Sequence, residues 1–118
     1  MSLPDHLIDS SFFTATQIES LTAYRQVVTG NMTLKQVASM RQRGPVKIGS
    51  FYRTVKQGKK NISQAIVTLV IALWLGFVKP EDIRRLLDQA GRTIPNVGEY
   101  EIEHVSAIIE DIANKIVM

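Results

Sequence analysis

The sequence predicts an all-α fold: a helix-turn-helix core of about five helices with a long middle helix and a C-terminal amphipathic helix. Three observations carry the prediction. Apolar residues recur at three- and four-residue steps through each long segment, and no segment shows convincing strand alternation. Threonine capping boxes open segments, and glycine or proline closes them. At 118 residues, 45% hydrophobic and 21% charged, the chain is sized for one domain with a real core.

Taken in order, Thr16 and Glu19 stand at capping-box spacing ahead of Ile18, Leu21, Tyr24 and Val28, and Gly30 with Asn31 ends that helix. Thr33 with Gln36 opens a short helix carrying Leu34, Val37 and Ala38. Gly44 and Pro45 break it, since proline disfavours helix at the residue before it. The middle helix starts between Lys47 and Ser50 and runs to about Leu75. Its stripe is Phe51, Val55, Gly58, Ile62, Ala65, Leu69 and Ala72. Gly58 keeps the phase of that stripe, which favours one continuous helix, although a break there is the alternative. Within this helix "AIVTLVIALWLGFV", residues 65–78, is too short to span a bilayer and reads as buried core, with Trp74 inside it and an interface as the lesser reading.

Gly76 suits a C-cap and Pro80 the first turn of "PEDIRRLLDQA", which Gly91 closes. A final helix begins near Glu99. Its Ile102, Val105, Ile109, Ile112 and Ile116 repeat as a two-heptad seam, widened by Ile108, that either folds back on the domain or pairs with a second copy. The expected organisation is one domain over 1–118, with a binding core at 16–76 and C-terminal helices at 80–118.

Charge is the feature that points to function. Residues 1–19 sum to −3, the ten bases between Glu19 and Glu81 face no acid, and the remainder sums to −4. The formal total of +3 hides that middle. Its densest part is "RQRGPVKIGSFYRTVKQGKKN", residues 41–61, with seven bases around Phe51 and Tyr52. A solvated helix face usually mixes both signs, so 61 residues without an acid favour an anionic partner.

A short helix, a turn and a second helix bearing Arg, Lys, Tyr and Thr is the layout of a helix-turn-helix, whose second helix enters the major groove. In "TLKQVASMRQRGPVKIGSFYRTVKQ", Ala38 is the small residue of close approach, Val46 the apolar turn residue, and Phe51 with Val55 the buried side of the recognition helix. Ala38 and Val46 are eight residues apart where six is usual, and Lys47 stands where a Ser or Thr cap is common. The stretch "GSFYRTVKQGKKNISQAIVTLVIALWLGFVKPEDIRRLL" resembles small archaeal helix-turn-helix proteins, a group that includes CRISPR-repeat-binding proteins and relatives of sigma-factor region four. That resemblance, over roughly residues 16–90, implies a duplex-DNA binder acting in transcription or genome architecture.

Candidate DNA contacts follow. Arg53 points away from Phe51 and Val55 and suits bidentate recognition of guanine. Lys47, Gly49, Ser50 and Thr54 lie near the helix start, where base contact is usual. Tyr52, Lys56, Lys59 and Lys60 suit phosphates, and Arg41 and Arg43 reach the backbone from the turn. Duplex DNA is favoured over RNA because no second exposed aromatic is expected beside Tyr52 to stack on bases. A homodimer matches a two-half-site target. The alternative function is a helical interaction module whose basic face docks on an acidic protein.

Catalysis and cofactors find little support. His6 and His104 are far apart, Glu101 and His104 make only half of a metal site, and there is no cysteine. No phosphate-binding glycine loop follows a strand, and no serine has a recognisable base. No enzyme activity, cofactor, small-molecule substrate or membrane partner is expected. The N-terminus lacks the features of a signal peptide, so the expected location is the cytoplasm, with the nucleoid.

Overall fold

The computed structural model describes residues 5–39, 47–93 and 102–118, and there it is helical without strands. Among these residues six helices follow one another: α1 (Asp5–Asp9), α2 (Ala15–Val28), α3 (Leu34–Ser39), α4 (Ile48–Leu75), α5 (Pro80–Thr93) and α6 (Ile102–Lys115). The all-α expectation holds; α1, a five-residue element, is additional to it. The chain divides into two units, Phe12–Ala65 and Met1–Ser11 with Ile66–Met118, and the division falls inside α4.

In the Phe12–Ala65 unit, α2 opens two residues earlier than its spacing suggests. Two overlapping capping boxes compete here, and Thr14 with Gln17 wins over Thr16 with Glu19. The Thr14 hydroxyl accepts from the Gln17 N–H at 3.1 Å, and Gln17 Oε1 accepts from the Thr14 N–H at 3.0 Å. Asn61 of α4 decides the choice. Its side-chain amide donates to the same Gln17 oxygen and to the Phe12 carbonyl, both at 3.0 Å. The second capping box forms as expected, with Gln36 N–H to Thr33 Oγ1 at 3.2 Å and the reciprocal bond at 2.8 Å. α2 ends in a Schellman turn: Gly30 lies at φ +80°, its N–H bonds to Val27, and the Asn31 N–H reaches Gln26.

Val37, Ala38, Phe51 and Val55 form the buried centre of this unit, with Leu21, Tyr24, Val27 and Leu34 packed against it. The apolar side of α2 is turned from its expected position. Val28 is 70% exposed, and Ser20 and Val27 take the inward places instead. α4 is continuous through Gly58, which is buried. A Cβ at Gly58 would come within 2.7 Å of Leu21 Cδ1, so the absent side chain is what lets α2 approach α4. Burial fades beyond that point: Ile62 is 42% exposed although it continues the stripe.

In the other unit, α4 ends in a second Schellman turn at Gly76 (φ +81°), as the glycine predicts. Pro80, Glu81 and Asp82 occupy the first turn of α5, where the fixed φ and the negative charges suit a helix start. Gly91 does not close α5. The helix runs to Thr93, with Arg92 paired to Asp88 at 3.1 Å one turn back. The seam of α6 folds back: Val105, Ile109 and Ile112 face Leu86 and Ala90 of α5 across an apolar groove. Ser10 bonds to Glu110, and the Met118 N–H donates to the Phe77 carbonyl at 2.8 Å, tying the segment after α1 and the residues after α6 into this unit. Trp74, expected in the core, is 87% exposed. Ile66, Val67, Val70, Ile71 and Leu75 are likewise 49–67% exposed, so that side of α4 is open to water among the described residues.

Candidate nucleic-acid interface

The two units differ in charge as sharply as in position along the chain. Phe12–Ala65 holds nine basic residues and a single acid, Glu19, for a net +8, whereas the other unit nets −5. Positive charge is therefore concentrated on a three-helix body of 54 residues.

Helical geometry sets out the bases on α4. Phe51, Val55 and Gly58 are buried at 4-3 spacing, which fixes the inward side of the helix. Gly49, Arg53, Lys56 and Lys60 repeat at 4-3-4 spacing about half a turn away, and all four are exposed. Among the described residues no carboxylate pairs with Arg53, Lys56, Lys59 or Lys60. The row presents three cations on a straight edge about 17 Å from Gly49 to Lys60, at 1.5 Å per residue.

Around this row the predicted residues divide. Lys47, Ser50, Tyr52 and Lys59 are exposed like the row itself. Lys47 is the residue before the first turn, and its carbonyl accepts from the Phe51 N–H at 3.0 Å. Its side chain offers no oxygen for a cap, so it adds positive charge to the already positive helix start. Thr54 is half-buried, and its hydroxyl donates to the Ser50 carbonyl at 3.2 Å, which engages it with its own helix. Arg41 and Arg43, with the rest of the turn including Val46, lie outside the described residues.

Two aromatic contacts shape the same side. The Lys56 ammonium sits 5.4 Å from the Tyr52 ring centre, and Lys59 sits 4.6 Å from that of Tyr24. Tyr24 is a participant that sequence reasoning placed in the core stripe of α2. The signal that could have found it is the close α2–α4 approach at Gly58, one residue before Lys59. Arg25 on α2 and Lys35 on α3 are also exposed on this unit.

Among the described residues no three His, Asp or Glu side chains gather to hold a metal, and no helix is long and apolar enough to cross a membrane. No protein-family model matches the chain, and no curated protein or solved structure gives a significant match to it.

Proposed function

We propose that the Phe12–Ala65 unit binds duplex DNA through the exposed row of α4, as a transcription regulator or an architectural protein. The observation that carries the reading is Arg53, Lys56 and Lys60 in line opposite buried Phe51, Val55 and Gly58, on a unit of net +8 with one acid. Such a row attracts phosphates and releases counterions, the largest part of sequence-independent affinity. The first turn of α4 enters the major groove in this reading, and α3 crosses the backbone. Arg53 reads guanine, while Lys56, Lys59 and Lys60 hold phosphates. The lysines over one face of Tyr52 and of Tyr24 add cation density to this side, which suits the closely spaced phosphates of a duplex.

Fluorescence anisotropy with a labelled random duplex, repeated across a salt series, tests the proposal. The expected log–log slope of affinity against salt is about −4 to −6, and replacing Lys56 and Lys60 together by alanine flattens it by up to ~2. Absence of binding at low salt, or a slope unmoved by the double substitution, rejects the row as the footprint. Binding of an acidic protein in place of DNA would then be the reading to pursue.

A further inference from the structure

The C-terminal half of α4 presents the largest feature that nucleic-acid binding leaves unused. Ile66, Val70 and Trp74 form one row of four-residue steps, and Val67, Ile71 and Leu75 form the next; all six are exposed. From Asn61 to Val78 the chain has no Asp, Glu, Lys, Arg or His. With Phe77, 53% exposed just beyond the helix, these side chains leave on the order of 800 Å² of apolar surface open to water. Monomeric proteins seldom expose a contiguous apolar patch beyond a few hundred Å².

We propose that this face is the contact surface for a second copy of the chain, paired two-fold and antiparallel about Val70. Area is the first argument, since about 800 Å² per partner is what a standard-size stable interface buries. Charge is the second. An uncharged face has nothing with which to select an acidic or a basic partner, but it meets its own copy with no desolvated charge on either side. Shape is the third. The two parallel rows make ridges with a groove between them, the surface from which helices pack ridge into groove. Two-fold pairing about Val70 sets Trp74 of each copy against Ile66 of the other, so a large aromatic side chain lies over β-branched neighbours at both ends. Tryptophan is the residue type most enriched at the energetic centre of interfaces. The inference does not rest on the DNA reading, because no residue of the basic row takes part.

Sedimentation-velocity and light-scattering measurements on the full chain test it. The wild-type protein is expected at twice the chain mass, and Trp74→Ala should raise the dimer dissociation constant by about 100-fold or more. Val70→Glu and Val70→Lys should each give monomers with unchanged far-UV circular dichroism, because Val70 is exposed in the single chain. Mixing these two variants should restore a dimer, since two-fold symmetry places each residue 70 against the other. Trp74 is the only tryptophan, so its acrylamide quenching reports the same event, weak in the dimer and strong in the monomeric variants. A wild-type monomer at tens of micromolar, or a dimer indifferent to both Val70 substitutions, overturns the proposal. So does failure of the mixed variants to pair. Co-sedimentation of a monomeric protein with phosphatidylcholine vesicles would overturn it in favour of a membrane surface.

Discussion

Gly58→Ala is the most demanding test of how α2 and α4 are held together. In an open helix the change should add about 1 kcal/mol of stability, because alanine loses less backbone entropy and has higher helix propensity. Here the new methyl would lie 2.7 Å from Leu21 Cδ1, 3.0 Å from Cγ and 3.4 Å from Cδ2. Carbon atoms rest at about 3.5–4.0 Å, so the whole Leu21 side chain must withdraw by roughly 0.5–1 Å. Overpacking of this kind costs about 1–3 kcal/mol, which outweighs the helical gain and leaves a net loss near 1 kcal/mol. Removing the obstacle should reverse the sign. In a Leu21→Ala background, Gly58→Ala should stabilise by about 1 kcal/mol, a coupling of about 2 kcal/mol between the two sites. Urea denaturation of the four proteins, followed by circular dichroism, measures the cycle. Additive effects, within about 0.5 kcal/mol, would mean that Gly58 is not where the helices touch.

Three further substitutions separate the roles of neighbouring side chains. Arg53→Ala should weaken binding to a preferred duplex by about 1–3 kcal/mol more than binding to a random one; equal losses in anisotropy titrations would make Arg53 a phosphate contact. Asn61→Ala removes both hydrogen bonds to the start of α2 and should lower unfolding stability by about 1–2 kcal/mol, read from urea midpoints. Ser20→Ala should raise stability by about 1 kcal/mol. The Ser20 hydroxyl is fully buried with no hydrogen-bond partner among the described residues, and alanine is the better helix former; a lower thermal midpoint would point to a hidden partner.

Much of this fold was legible in the order of residues, and several of the failures turn on contacts distant in the chain. The Thr33–Gln36 capping box, the Gly76 turn and the burial of Val37, Ala38, Phe51 and Val55 follow from local spacing, and local spacing decides them. Local spacing does not fix the start of α2, because Thr14 and Thr16 offer equal local caps and Asn61, 44 residues beyond Gln17, breaks the tie. Helical spacing gives a period and not an absolute phase, so it points Val28 inward; packing of α2 against Val37, Ala38, Phe51 and Val55 supplies the phase. Gly91 suggests a stop because glycine often follows a helix, but its backbone stays helical and the Asp88–Arg92 pair spans it. The side of α4 that carries Arg53 was legible, since burial of Phe51 and Val55 leaves it little choice, whereas Thr54 is half-buried and bonded to its own helix. The turn bearing Arg41 and Arg43 lies outside the described residues.

Trp74 shows where hydrophobicity misleads as a predictor of burial. An apolar run of fourteen residues fixes that water should be excluded from it, but not which molecule does the excluding. In this chain α4 changes chemistry at Asn61, with cations before it and an uncharged apolar surface after it. The proposed phosphate face and the proposed contact face would place opposite demands on a helix, and separating them along its length would satisfy both. The division also makes the two proposals separable by experiment. Substitution at Val70 should alter mass and leave the sequence-independent affinity of each chain for DNA in place, whereas substitution of Lys56 and Lys60 should do the reverse. If dimerisation and DNA binding both occur, linking two basic units raises the effective concentration of the second once the first has bound. A dimer would then show a steeper salt dependence than the Trp74→Ala monomer, through phosphates contacted by the second copy and without any new contact on the first.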